Sequence, residues 1–167
     1  MKKMVAGWTA AFVLLASAGS LVAHHGLSQY DTTTAVRMKG TIVLFERVNP
    51  HSILFVDQKR EDGQIQRWAV EGPGIFQLDR MGLGKVALKA GDVVEACGYV
   101  VTKEGGKLRQ ANVLREQLRP IAIEFNSVSG RILDGELLVM PDGEKRVWSD
   151  YGHHKCLGPD YVDNHVR

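Results

Sequence analysis

The feature that most constrains the fold of this chain is a series of short β-rich segments, which are separated by turn residues. Three of them lie between residues 36 and 71, with a break at Asn49-Pro50 and a turn at Glu61-Asp62-Gly63: Val36–Val48, Ser52–Gln58 and Gln66–Glu71. Partly alternating apolar and polar residues between such turns are typical of antiparallel strands. The chain also contains 18 glycines among its 167 residues, which favours a turn-rich β protein over a helical bundle.

One helical pattern interrupts the strands. Pro73 opens a segment with apolar residues at helical spacing, which predicts one short helix over residues 74–81. Two further strands are predicted at Val93–Thr102 and Lys107–Leu114, with a hairpin turn at Glu104-Gly105-Gly106. This order predicts a mainly β fold, a small five-stranded OB-like barrel with the helix between strands 3 and 4. An open α+β sheet fits the same order.

The remaining C-terminal residues predict an extension of the barrel. Ala122–Gly130 and Glu136–Trp148 are expected to form a β-hairpin, with turns at Asp134-Gly135 and Asp142-Gly143. Gly152–Arg167 has few apolar residues and is expected to be an irregular tail. The predicted organisation is therefore a signal peptide over residues 1–23, the barrel domain over 24–118 and the hairpin with its tail over 119–167. Whether the last part belongs to the barrel domain stays open.

The N-terminal segment has the pattern of a secretory signal. Two lysines precede the apolar stretch Val5–Ala18, and small residues follow as far as Ala23. Cleavage after Ala23 makes His24 the new N-terminus, whereas cleavage after Ala18 leaves the histidines inside a tail. An uncleaved membrane anchor is the other interpretation of this segment. We expect a periplasmic or secreted protein with no membrane span after cleavage.

The charge of the exported chain excludes one class of partner. The whole sequence has 21 Lys and Arg against 19 Asp and Glu. Lys2 and Lys3 lie in the signal, so the mature chain is formally neutral. Because nucleic-acid binding depends on a basic field, we expect no nucleic-acid partner. Phosphate-loop, dinucleotide-binding and nucleophile-elbow motifs are absent from the sequence, and no catalytic residues are predicted.

The histidines suggest a metal site. An N-terminal His24 offers its α-amine and ring Nδ1 to one ion, and His25 and His51 add further imidazoles. Such nitrogen donors suit Cu(II) best among the common divalent ions. Asp31 could orient an imidazole as a hydrogen-bond acceptor. The alternatives are a turn-capping role for His51, solvated His24 and His25, and a turn or cap role for Asp31.

A second cluster near the C-terminus contains His153, His154 and Cys156, a ligand set that suits Cu(I) or Zn(II). Cys156 could instead form a disulfide with Cys97, which an oxidising compartment permits. Two free thiols are the third possibility.

Trp68 and Glu71 are three residues apart on the third predicted strand, so their side chains lie on opposite faces. We expect one of them to pack in the core and the other to face outward or to meet the helix.

These motifs together resemble an uncharacterised family of small secreted bacterial proteins, a domain of unknown function with an OB-like fold. The resemblance spans roughly residues 23–118, and Asn-Pro-His with Trp-x-x-Glu is its most specific part. Gly26 replaces the usual serine, and the chain continues beyond the family core. The resemblance implies cleavage before His24 and a compact β-barrel-like domain, and it implies no activity. The residues that carry it are His24-His25-Gly26, Tyr30-Asp31, Gly40-Thr41-Ile42-Val43, Asn49-Pro50-His51, Trp68, Glu71, Leu78-Asp79-Arg80-Met81-Gly82, Gly91-Asp92-x-Val94 and Gly98.

The sequence thus predicts an exported β-barrel binding protein that holds copper through an N-terminal histidine site. The alternative is a metal-free structural module that binds another protein of the cell envelope.

Overall fold

The computed structural model describes residues 27–84, 88–115, 128, 130–149 and 155–156. A short 3-10 turn at Leu27–Gln29 leads into the first strand. The strands are β1 (Tyr30–Glu46), β2 (Ser52–Lys59), β3 (Ile65–Gly72), β4 (Val93–Val101), β5 (Ile132–Val139) and β6 (Lys145–Val147). The helices are α1 (Ile75–Arg80) and α2 (Lys103–Arg115).

The strands form one sheet in the order β3-β2-β1-β4-β5-β6, and a parallel pairing of β3 with β5 joins its ends. The sheet therefore runs as a ring through β1, β2, β3, β5 and β4, with β6 attached to β5. All other pairings are antiparallel. The prediction of a mainly β, barrel-like fold is confirmed at this level, as is the short helix between the third and fourth strands.

Strand β1 is long enough to pair with two neighbouring strands. It pairs with β2 through its C-terminal part and with β4 along most of its length. Gly40 precedes Thr41, the residue at which the two pairings overlap. The backbone oxygen of Asp57 and the side chain of Val56 come so close that a Cβ at residue 40 would collide with both. This close approach explains the glycine at a strand position.

The two larger apolar cores lie on the two faces of the sheet, and a small third cluster surrounds Cys97, Leu137 and Cys156. The inner core is centred on Ile42, Leu54, Val70, Leu133 and Trp148, all of them almost fully buried. The outer core contains Phe55, Ala69, Tyr99, Val101 and Ile132. Trp68 belongs to the inner core, whereas Glu71 is buried on the outer face, so the predicted separation of these two side chains is confirmed.

The predicted fifth strand, Lys107–Leu114, is wrong. These residues belong to α2, because Lys, Leu, Arg, Gln and Ala are all good helix formers. Thr102 begins the helix, since its Oγ1 accepts the Gly105 N–H at 3.1 Å. Gly105 also lies against the backbone oxygen of Gln29, where a side chain would not fit. The Gly105-Gly106 pair is therefore part of a helix and not a hairpin turn.

The strand that completes the ring is instead β5. The predicted turn at Asp134-Gly135 is wrong, because both residues lie within this strand. The turn at Asp142-Gly143 is confirmed: Gly143 has φ of +87° and Met140 N–H donates to Glu144 O at 2.7 Å. Ala122–Ser127 and Ser129 lie outside the described residues, so the other half of the predicted hairpin is not described.

A disulfide joins Cys97 on β4 to Cys156, with their Cα atoms 5.7 Å apart. Arg37 Nη2 donates to the Cys156 carbonyl at 2.8 Å, and Lys155 Nζ donates to the carbonyls of Thr32 and Thr33. Residues 155 and 156 are thereby attached to β1 and β4. In this disulfide form neither sulfur is a thiolate, so Cys156 is not available as a metal ligand.

Candidate functional site

The structure describes only some of the residues that the sequence analysis singles out. His51 and Asp31 are described, whereas His24, His25, His153 and His154 lie outside the described residues. Asp31 is exposed on β1, and its carboxylate accepts hydrogen bonds from the N–H and hydroxyl of Thr33, the geometry of a turn residue. Within the described part of the chain, no three His, Cys, Asp or Glu residues are grouped so that they could hold a metal ion.

His51 lies at the corner between β1 and β2. This corner is fixed against the start of α1, because Asn49 Oδ1 accepts the Ile75 N–H at 3.0 Å and Ser52 N–H donates to Pro73 O at 3.2 Å. An open pocket of about 50 Å³ lies beside the corner. We call it the rim pocket, and its lining residues are Pro50, His51, Gly72, Pro73, Asp134, Trp148 and Ser149.

Trp148 forms the inner wall of the rim pocket. Its side chain is fully buried and packs against the Phe45 ring with centroids 6.0 Å apart. The indole lies against two glycines, Gly72 on β3 and Gly135 on β5, and a Cβ at either position would overlap it. The indole Nε1 has no hydrogen-bond partner among the described residues. Both glycines are therefore needed to admit the indole.

We expect Gly135→Ala to destabilise the protein by about 1–3 kcal/mol, the usual cost of overpacking a core. The added Cβ would lie 2.5 Å from Trp148 Cδ1 and 2.8 Å from the Glu71 carbonyl oxygen. Urea unfolding followed by tryptophan fluorescence measures this loss. Gly106→Ala is the matched control, since its Cβ would meet only Val101 Cγ1 at 3.6 Å. Equal stability of the two variants would contradict the packing of Trp148 described here.

A buried polar cluster lies on the outer face of the sheet, where β3 and α2 meet. The Tyr30 hydroxyl donates to Glu71 Oε2, and Arg109 Nη2 contacts the same oxygen at 2.9 Å and the tyrosine hydroxyl at 3.0 Å. The Arg109 guanidinium also lies 5.7 Å from the centre of the Tyr30 ring. Burial and the Glu71 carboxylate raise the pKa of Tyr30 well above its ordinary value. We call these three residues the outer triad.

Asp134 connects the rim pocket with the outer triad. It lines the rim pocket, and its register partners in the sheet are Glu71 on β3 and Tyr99 on β4. Burial, together with the neighbouring Glu71 carboxylate, raises the pKa of Asp134 to about 6. Two residues along β5, burial raises the pKa of Glu136 to about 7, with a further contribution from Asp134. The side chain of Glu136 is buried, and neither of its oxygens has a hydrogen-bond partner in the described ranges.

The raised pKa of Glu136 predicts that Glu136→Gln stabilises the protein at alkaline pH. A carboxyl whose folded pKa exceeds its unfolded pKa of about 4.3 stabilises the fold below that value and loses this contribution as the pH rises through the folded pKa. The glutamine variant has no charge to bury. We expect it to match the parent protein near pH 4 and to exceed it by about 3–4 kcal/mol near pH 8. Urea unfolding at both pH values tests this, and a gain that is independent of pH would contradict it.

Comparison with known families identifies the chain. The model of DUF6152, a family of unknown function, matches residues 11–109, more than half of the sequence. The chain belongs to this family. A comparison with curated proteins finds no match. The expected resemblance to an uncharacterised family is thus confirmed, and the DUF6152 match covers the outer triad and His51 but ends before β5.

Among the described residues of this DUF6152 protein, no helix is long and apolar enough to cross a membrane.

Sequence reasoning did not identify Asp134, Glu136 or Trp148 as site residues. Asp134 precedes a glycine, so the pair has the signature of a turn, and only the pairing of β5 with β3 brings it to Glu71. Trp148 comes at the end of β6, and nothing in the local sequence shows that Gly72 and Gly135 make room for it. For Glu71, the Trp-x-x-Glu motif is the sequence feature that singles out this residue.

Proposed function

We propose that this chain is an exported binding protein of the cell envelope, built on an OB-type barrel, and that it holds one copper ion with His24, His25 and His51. The ring of five strands, with β3 parallel to β5 and a helix between β3 and β4, supports the OB-type assignment. The Cys97–Cys156 disulfide supports an oxidising compartment outside the cytoplasm. Residues 1–23 would then be a signal peptide. We propose no nucleic-acid partner for the exported chain.

The observation that carries the copper proposal is where the N-terminal segment joins the fold. Leu27 packs against the outer core, to which Ile53 also belongs, and Ile53 is two residues after His51. His24 precedes Leu27 by three residues, a length of chain that spans at most about 11 Å. We propose that this attachment of Leu27 allows the first imidazoles of the exported chain to reach the corner that carries His51.

The charge around His51 favours a cation. Asp134 lines the same pocket as His51, and Glu71 is its register partner. Arg109 contacts Glu71, so two carboxylates share one guanidinium in this part of the sheet. A bound cation at the corner would offset this local excess of negative charge.

We expect cupric ion to bind the exported chain with a stoichiometry of one, and to bind more weakly when one alanine is added before His24. The extra residue moves the α-amine away from the His24 ring and breaks the chelate. We expect the affinity for copper to fall by about 10–100-fold. Loss of a residue that hydrogen-bonds to a metal ligand typically causes a decrease of this size, and loss of a ligand should cost at least as much. Titration calorimetry measures it. His51→Ala should have a similar effect.

A matched control is an alanine added after Arg167, which lengthens the chain without changing the α-amine of His24. Unchanged affinity after the addition before His24 would remove the α-amine from the site.

The metal-free interaction module is the second candidate function. The observation that favours it is an exposed aromatic ring, since Phe76 on α1 is 72% exposed and Arg80 lies above it at 5.8 Å. Exposed aromatic and arginine side chains are common at protein interfaces. Capture of the same envelope protein by the parent chain and by His51→Ala, but not by Phe76→Ser, would favour this function over copper binding.

A further inference from the structure

Glu136 lies at a bulge in β5. Leu137, the next residue, is opposite Cys97 on β4. The preceding pair along the two strands is Gly135 with Gly98, so Glu136 is an extra residue in β5. Its side chain is 1% exposed, and neither carboxyl oxygen has a hydrogen-bond partner among the described residues. Burial of a carboxylate in such surroundings costs free energy, which favours the neutral acid.

The segment that lies beside Glu136 on the outer face consists of Lys155 and Cys156, which we call the strap. Cys156 is bonded to β4 by the disulfide and packs in one cluster with Leu137. Lys155 Nζ lies 6.0 Å from the centre of the Tyr99 ring. Burial and the neighbouring Asp134 carboxylate raise the pKa of Glu136 to about 7, and the Lys155 ammonium lowers it. The strap is therefore close to Glu136 by packing and by charge.

The disulfide is the covalent attachment of the strap to the sheet. The other described attachments are hydrogen bonds. Lys155 Nζ donates to the carbonyls of Thr32 and Thr33 at 2.7 and 2.9 Å, and Arg37 Nη2 donates to the Cys156 carbonyl at 2.8 Å. The bonds from Lys155 are exposed, and hydrogen bonds that water can replace contribute little net stability. The position of the strap therefore depends on the disulfide.

The charges around Glu136 do not favour its ionisation while the strap is in place. The charged or titratable groups on the surrounding described elements are Arg37 on β1, Tyr99 on β4, Asp134 on β5, Lys145 and Arg146 on β6 and Lys155 on the strap. Arg37 is paired with Glu95 at 3.2 Å. Burial, with the Glu136 and Asp134 carboxylates, raises the pKa of Tyr99, so this phenol stays neutral as well. The cation that acts on Glu136 is Lys155.

We propose that the disulfide and Glu136 form a redox switch, in which reduction of the Cys97–Cys156 bond by a dithiol frees the strap and allows Glu136 to become exposed and to ionise. The dithiol supplies two electrons and two protons, the S–S bond breaks, and two thiols form while the dithiol is oxidised to a disulfide. Glu136 releases one proton to solvent. The face between β4 and β5 thereby changes from covered and neutral to open and anionic. This switch uses none of the histidines of the copper proposal.

The direct test is a ¹³C titration of the Glu136 carboxyl in the exported chain and in the double variant Cys97→Ala with Cys156→Ala, both with a chelator present. We expect the pKa to fall from about 7 in the parent protein towards the ordinary value of about 4.3 in the variant. Glu136→Gln assigns the signal. Asp134 is the internal control, because burial and the Glu71 carboxylate raise its pKa to about 6 and neither depends on the strap.

The same switch makes reduction of the disulfide depend on pH. Exchange with dithiothreitol moves no net protons while all thiols are protonated, so the proton that Glu136 releases sets the pH dependence. We expect the exchange equilibrium to favour the protein thiols about tenfold more at pH 7.5 than at pH 5.5. Glu136→Gln should abolish this difference. Glu61→Gln, in the exposed β2–β3 turn, is the matched control and should retain it.

Three results would overturn the proposal. The first is an unchanged pKa of Glu136 in the double alanine variant, which would mean that the strap does not cause its burial. The second is a fall in the pKa of Asp134 together with that of Glu136, because loss of the bond would then open the whole outer face and not the strap alone. The third is the same pH dependence of dithiothreitol exchange in the parent protein and in Glu136→Gln. Because the chelator removes copper, none of these results bears on the copper proposal.

Discussion

Replacement of Arg109 by methionine should destabilise the protein by about 3–5 kcal/mol, the cost of breaking a buried ion pair by removing one partner. Glu71 is 3% exposed, and Arg109 is the cation that contacts its carboxylate, at 2.9 Å. Without the guanidinium, Glu71 and Asp134 would lie close together with no described cation between them. Urea unfolding near pH 7 measures the loss.

The double variant Arg109→Met with Glu71→Met tests the same ion pair by removing both of its charged partners. Replacing both charges by apolar groups removes the desolvation cost along with the pair, so the double variant should be more stable than Arg109→Met alone. Arg60→Met is the exposed control, because the Arg60–Asp62 pair lies in a surface turn at 3.7 Å and should contribute less than about 1 kcal/mol. A cost for Arg109→Met no larger than that of Arg60→Met would contradict the outer triad.

Removal of the disulfide should cost about 2–4 kcal/mol, because the bond restricts the unfolded chain between two residues 59 apart in sequence. The variant replaces Cys97 and Cys156 by alanine together, so that no free thiol remains. The loss of the bond also frees Lys155 and Arg37 from their contacts around residue 156. Thermal or urea unfolding measures the difference in stability between this variant and the parent protein.

A reducing agent provides the control for this prediction. It should lower the unfolding free energy of the parent protein by a similar amount and leave the double alanine variant unchanged. A parent protein whose stability does not respond to reduction would contradict a structural role for the bond.

Local patterns predicted those parts of the fold that depend on neighbours in sequence. The three-strand meander from β1 to β3 follows from alternation and from the turn residues at 61–63. The helix α1 follows from Pro73 and the apolar spacing after it, and it occupies Ile75–Arg80, close to the predicted residues 74–81. The opposite faces of Trp68 and Glu71 follow from the period of a strand.

The errors arise where distant contacts decide the structure. Glycines at 105 and 106 suggested a hairpin turn, but Gly105 is required by its approach to the Gln29 backbone at the start of a helix. Asp134-Gly135 has the composition of a turn, yet pairing with β3 and β4 makes it part of a strand. The rim pocket combines residues from the β1–β2 corner, β3, β5 and the end of β6, and no local pattern could place them together.

The copper proposal is tested most directly by the native mass of the exported protein, purified from its own compartment and offered one equivalent of copper. Our account predicts a single species that begins at His24 and carries one copper ion, and that binds copper more weakly when His51 is replaced by alanine. A chain that begins at Gly19, or one that begins at His24 and binds no copper, would contradict it.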